Sequence, residues 1–249
     1  MTTTENNKLV ALVTGANRGI GLETSRQLAA KGVTVIMGGR NEASINQAAE
    51  GLRQEGLSVL PVVLDVTDDG QIEAVRRKLE GDFGRLDILI NNAGLITGEI
   101  FFENSSAKVS REALRQTYEV NVISQVALTQ ALLPLLKAAP AARIVNLSSI
   151  LGSLAINRDF EGQMATVKPL AYNSSKAALN MFTVHLAQEL SQTSIKVNAA
   201  HPGWVKTDMG TDAAPMEIVD GARTSVELAL LGEDGPTGQF IHLGDQLPW

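Results

Sequence analysis

The chain has 249 residues, 44% of them hydrophobic and 19% charged, which suits one α/β domain with a sizeable core and is too short for two ordinary ones. It contains no cysteine, which excludes disulfides and thiolate metal sites. Its histidines, His185, His201 and His242, never fall at metal-ligand spacing, so they read as structural and no metal is expected. A formal net charge of −6 argues against nucleic acid as a partner, because phosphate binding relies on basic patches.

Residues 1–7 are polar, have no apolar signal core and read as a disordered arm ahead of a single domain over 8–249. No run is expected to reach the uninterrupted apolar length of a bilayer span, so a cytoplasmic protein without membrane association is the expectation. From Leu9 onward, short apolar β-branched runs alternate with longer amphipathic stretches. Strands are predicted at Leu9–Thr14, Val33–Met37, Val59–Leu64, Leu86–Ile90, Arg143–Leu147 and Ile195–Ala199, with a short seventh at Gln239–Leu243. Their nearly continuous apolar character is that of parallel strands covered on both faces. Helices are predicted over Gly21–Lys31, Glu42–Glu55, Asp68–Phe83, Lys108–Lys137 and Ala171–Leu190, and near Met216–Leu231. Such alternation calls for right-handed crossovers. The predicted architecture is a single doubly wound parallel sheet of about seven strands with helices on both faces, a Rossmann-type α/β fold.

The first strand runs into Thr14-Gly15-Ala16-Asn17-Arg18-Gly19-Ile20-Gly21. A glycine motif between a strand and a helix is informative, because it lets the backbone turn tightly and approach a pyrophosphate at the helix N-terminus. Gly15, Asn17, Arg18, Gly19, Ile20 and Gly21 are therefore candidate cofactor contacts, although the Gly-x-x-x-Gly-x-Gly spacing departs from the commoner fingerprint. An NAD site usually has an acid about 20 residues past the glycines. Here the second strand ends in Met37-Gly38-Gly39-Arg40-Asn41, with no carboxylate before Glu42. Arg40 and Arg18 are the charges on offer, and guanidinium groups suit a 2′-phosphate. The expected cofactor is NADP(H). Asp65 and Val66, past the third strand, are candidates for the adenine side, though an acid capping the next turn looks the same in sequence.

Further along come Asn91-Asn92-Ala93-Gly94, Asn121 inside a helix, Ser148-Ser149 after the fifth strand, and Tyr172-Asn-Ser-Ser-Lys176. Residues i and i+4 share a helix face, so Tyr172 and Lys176 point the same way. A phenol with a pKa of about 10 is a poor acid–base catalyst at neutral pH, and an adjacent ammonium favours the phenolate; three units of lowering equal roughly 4 kcal/mol. A serine hydroxyl can polarise a carbonyl as hydride arrives, and composition does not choose between Ser148 and Ser149.

Together these motifs, spanning Thr14 to the C-terminus, resemble the short-chain dehydrogenase/reductase family. Within it the chain is most similar to carbonyl reductases, through His201-Pro-Gly-Trp-Val-Lys-Thr-Asp-Met209 and Gly235-Pro-Thr-Gly-Gln-Phe240…Trp249. The resemblance implies that Tyr172 is the general acid for reduction, that Lys176 lowers its pKa and holds the nicotinamide ribose, and that Asn121 anchors a water in a proton relay. Ser149 is selected by the family's Ser-x-x-Gly pattern, with Gly152 three positions on. Asn92, Ala93 and Gly94 would line the cofactor, and Pro202, Gly203, Val205 and Thr207 would wrap the carboxamide; Asn91 is implied to be structural.

Ser149 and Tyr172 are further apart than in most of the family. The resulting insert, about 154–170, is expected to shape the cleft and to shield part of a helix face used for association, leaving monomer and dimer both open. The loop over 207–218 reads equally as a lid or as an ordinary connection. Met209, Met216 and Trp204 would offer apolar contacts to a small carbonyl substrate. Oxidation of an alcohol or hydroxysteroid by the same groups, and a non-catalytic NADP(H) sensor, are the competing readings.

Overall fold

The computed structural model describes residues 8–97 and 105–249; the predicted arm at 1–7 lies outside them. The elements are β1 (Val10–Thr14), α1 (Gly19–Ala30), β2 (Thr34–Gly39), α2 (Glu42–Gln54), β3 (Val59–Val63), α3 (Asp69–Phe83), β4 (Ile88–Asn91), α4 (Arg111–Tyr118), α5 (Ser124–Ala138), β5 (Arg143–Leu147), α6 (Leu154–Asn157), α7 (Leu170–Glu189), β6 (Lys196–Ala200), α8 (Ile218–Gly221), α9 (Arg223–Ala229), β7 (Phe240–His242) and β8 (Asp245–Gln246).

They form one sheet in the order β3-β2-β1-β4-β5-β6-β7-β8, parallel from β3 to β7. The strand period of two divides the core in half. Val10, Leu12 and Ile36 face Val75, Leu79, Leu128, Leu132 and Leu186 of α3, α5 and α7. Ala11, Val13, Val35 and Met37 face Leu28, Ile45, Leu52 and Val226 of α1, α2 and α9. The order reverses between β1 and β4, and the crevice at the carboxyl ends of these strands is where ligands bind in open α/β sheets. Pro61 is tolerated within β3 because that strand is the sheet edge.

The doubly wound prediction holds, with four local differences. An eighth strand, β8, pairs antiparallel to β7 across a two-residue turn with positive φ at Leu243 and Gly244, the backbone of a primed hairpin. The predicted 108–137 helix starts at Arg111, capped by Ser110, and is interrupted by a π turn at Glu119–Ile123. The predicted helix near Met216–Leu231 starts only at Ile218, since Met216 instead forms a parallel bridge with Val205, and it is divided at Ala222 into two short helices. Lastly, Arg111–Ala138 is long and apolar enough to meet the length and hydropathy of a bilayer span, which corrects the expectation that no stretch does. Leu128, Leu132, Leu135 and Leu136 bury its apolar face on the sheet, which accounts for that composition as a core helix.

Candidate active site

The crevice at the switch point is a cleft of 710 Å³. On one wall, β1 ends at Thr14, whose buried Oγ1 donates to the Ile90 carbonyl (3.3 Å) and accepts the N–H groups of Asn92 (3.0 Å) and Ala93 (2.9 Å). Asn92 Nδ2 returns to the carbonyls of Thr14 (2.7 Å) and Gly15 (3.2 Å). The β1 and β4 turns are thus sewn together. Gly15 sits at φ +63°, and a Cβ on Gly21 would lie 2.4 Å from the Gly15 carbonyl oxygen. No side chain caps the start of α1, leaving its first N–H groups available to a phosphate.

Gly15, Asn17, Arg18, Gly19, Ile20 and Gly21 all line the cleft, as do Arg40, Asp65, Val66, Asn92, Ala93 and Gly94. Arg40 is exposed one residue past β2. Arg18, also exposed, forms an ion pair with Asp208 at the cleft. Asp65 Oδ1 accepts from the N–H and hydroxyl of Thr67 (3.0 and 2.8 Å), so that oxygen caps its own turn.

On the other wall α7 presents Tyr172 and Lys176, both lining the cleft, with Lys176 Nζ 5.6 Å from the Tyr172 ring centroid. Nζ donates to the Leu147 carbonyl at 2.7 Å. Burial pushes the Tyr172 hydroxyl up to about 12, against a hydrogen bond from the Ser149 side that lowers it. Burial also pushes Lys176 down to about 8.

The serine pair is separated by geometry. Ser148 Oγ is bound to Asn180 Oδ1 at 2.5 Å, whereas Ser149 is the hydroxyl that meets Tyr172 and also accepts the N–H of Leu151 (3.2 Å). Ser148 lines the cleft, and Ser149 is not among its lining residues. Asn121 does not line the cleft either. It sits on the π turn, fully buried, and its side chain is engaged with Leu95 N (2.7 Å), Leu95 O (2.8 Å) and Ser175 Oγ (3.0 Å). Its amide therefore ties the loop after β4 to α7, with both Nδ2 hydrogens used and one lone pair of Oδ1 occupied. Asn91 is likewise structural, donating to Thr129 Oγ1 (2.9 Å) and Asn146 Oδ1 (2.8 Å).

Pro202 and Thr207 line the cleft, and Gly203 and Val205 do not. Trp204 is not among the lining residues, and its indole N–H donates to the Gly210 carbonyl (2.7 Å). Met209 lines the cleft and Met216 does not. The 207–218 loop is internally organised, with Gly210 N on Thr207 Oγ1 (3.1 Å) and Thr211 N on Thr207 O (2.8 Å). The insert packs at the start of α7: Asn157 donates to the carbonyls of Leu151 and Ser153 (both 2.8 Å) and accepts from Lys168 and Asn173. The hollow between α5 and α7, lined by Val126, Leu133, Met181 and Phe182, has no insert residue in it, so the insert does not shield that stretch of the helix face. Sequence reasoning missed Thr14 and His201 as organisers of the site; a threonine closing a strand directly before a glycine turn is the available signal for the first.

The family model for short chain dehydrogenase matches residues 9–218. The chain is 33% identical to (−)-isopiperitenone reductase of Mentha piperita, over 93% of this chain and 95% of that one. It is 32% identical to carbonyl reductase [NADPH] 1 of Bos taurus, over 98% and 99%. Among solved structures, the NADPH-bound carbonyl reductase from chicken fatty liver superposes with a TM-score of 0.83 at 31% identity, covering 97% of this chain and all of that one.

Proposed function

The chain belongs to the short-chain dehydrogenase family, and from that premise we propose that it is an NADP(H)-dependent reductase turning a small, mainly apolar aldehyde or ketone into an alcohol. The observation that carries this reading is that Tyr172 and Lys176 line the same cleft as the glycine turn, with Ser149 hydrogen-bonded to the Tyr172 hydroxyl. The reduced nicotinamide, when bound, supplies the hydride. The chain's own groups supply the rest.

Ser149 donates its hydroxyl hydrogen bond to the substrate oxygen and stabilises the negative charge that develops there. Tyr172 gives up its phenolic proton to that oxygen as the carbon–oxygen double bond becomes a single bond. Burial holds the phenol protonated, the state from which a donor must start. Lys176, fixed by Leu147, stands behind the ring and stabilises the phenolate left by the transfer. The open N-terminus of α1 and the Gly15–Gly21 turn suit a pyrophosphate, and Arg40, in place of the acid that reads a ribose hydroxyl, favours a 2′-phosphate. Bovine and avian relatives named for NADPH support that choice.

A panel of aldehydes, diketones, ketones and the matching alcohols, assayed with all four nicotinamide cofactors, tests the proposal. Reduction of apolar carbonyls with NADPH is the expected result. Turnover confined to alcohols, or tight cofactor binding with no turnover at all, would overturn it.

A further inference from the structure

We propose that His201 is a positioning residue for the reduction described above, its Nδ1 clamping the loop that carries Ser149 to the Pro202–Gly203 turn. The inference rests on that reading of Ser149 and Tyr172, but its geometry is independent of it. Strands β5 and β6 pair in register as far as Leu147 and Ala200, and Ser148 N still reaches the Ala200 carbonyl at 2.8 Å. Beyond this point the two chains fork, one into Ser149–Gly152 and the other into Pro202–Gly203, and the parallel ladder can no longer hold them. His201 stands at the fork. Its Nδ1 accepts the N–H of Ile150 at 3.2 Å and that of Gly203 at 3.4 Å, one from each branch.

The imidazole is itself held from the far side. Its backbone N–H donates to Ile241 O (2.8 Å), and its carbonyl is met by His242 Nδ1 at 2.9 Å. The two rings lie 4.7 Å apart, with Phe240 at 6.5 Å. Two N–H donors on one nitrogen require that Nδ1 carry no proton, which fixes the neutral Nε2–H tautomer. Burial and the neighbouring His242 push the group down to about 3, so the acceptor persists across the working pH range. Without it, the part-buried N–H of Ile150 loses its acceptor, and the turn that carries Ser149, whose Oγ accepts from Leu151, loses its tie to the Pro202–Gly203 branch.

The test compares His201→Phe, which keeps a ring but no acceptor, His201→Asn, whose Oδ1 falls near the position of Nδ1, and His201→Gln, whose acceptor lies one bond too far out. Kd for NADPH by fluorescence, and kcat and KM for a carbonyl substrate, are read on each. We expect kcat to fall about tenfold or more in the Phe and Gln variants, the kinetic equivalent of one misplaced hydrogen bond, with NADPH bound several-fold more weakly. The Asn variant should restore kcat to within about threefold. Equal kcat in Asn and Gln variants, or an unimpaired Phe variant, overturns the proposal; if Phe fails to fold, the Asn–Gln pair decides. Should the wild type reduce no carbonyl, the order of NADPH Kd across the variants still reads the clamp, so the two failures are distinguishable.

Discussion

Lys176 reaches back from the fourth turn-mate of Tyr172 to donate its ammonium to the carbonyl of Leu147, the last residue of β5, at 2.7 Å. That bond, with those of Asn146 to Thr183 and Ser148 to Asn180, joins the helix carrying the phenol to the strand that delivers Ser148 and Ser149. It also holds a cation in a site where burial disfavours charge.

Function and stability should therefore diverge at this residue. Lys176→Met keeps the volume, removes the buried charge and leaves the Leu147 carbonyl without a donor. A fall from 10.5 to about 8 corresponds to roughly 3 kcal/mol against the charged form, offset by about 1–2 kcal/mol for the orphaned carbonyl. The variant should lose activity at least about 100-fold while gaining on the order of 1 kcal/mol in urea unfolding at pH 7. The folded chain binds this proton less tightly than the unfolded one, so wild-type stability rises with pH between about 8 and 10.5 and the variant's advantage shrinks there. A variant less stable than wild type at both pH 7 and pH 10 would contradict the burial argument.

The two serines should separate cleanly. Ser149→Ala removes the hydroxyl beside Tyr172 and should cost kcat about 10²–10³. Ser148→Ala leaves Asn180 Oδ1 unpaired, costing about 1–3 kcal/mol of stability with kcat within a few-fold. The reverse order in kcat would reassign the role.

Gly21→Ala puts a Cβ 2.4 Å from the Gly15 carbonyl oxygen, a backbone atom that has no rotamer to escape into. We expect a loss of about 2–3 kcal/mol together with weaker cofactor binding, since the turn must open to make room. Calorimetry and a cofactor titration check both; unchanged affinity would mean that the turn does not contact the cofactor.

Arg40→Asp should move preference from NADPH towards NADH, by removing a guanidinium and installing the acid that reads a ribose hydroxyl. A change of about 100-fold in the ratio of kcat/KM values is the scale of one charge-assisted pair lost and one gained. An unaltered ratio would take Arg40 out of the 2′-phosphate site.

Most of this fold was legible because parallel strands buried on both faces must be nearly continuously apolar, and the runs ending at Thr14, Met37, Ile90 and Leu147 are. What periodicity could not carry was local. The π turn at Glu119–Ile123 adds one residue without disturbing the apolar pattern around it. The strand Asp245–Gln246 is only two residues long and exposed, so it has no burial signature to find. In the site, residue type and spacing found Tyr172, Lys176 and the glycine turn, and the Ser-x-x-Gly pattern chose the serine that meets the phenol. Spacing could not reveal which side chains were already engaged. The amide of Asn121 is engaged with Leu95 and Ser175, Arg18 is paired with Asp208, and His201 collects the N–H groups of Ile150 and Gly203, from two separate segments.

The most direct test of the account is Tyr172→Phe, measured twice on the same preparation: NADPH affinity by fluorescence and turnover of the best carbonyl substrate. The account predicts affinity within a few-fold of wild type and kcat reduced by about 10²–10⁴, the share of a general acid. A Phe variant that reduces carbonyls at the wild-type rate would contradict it.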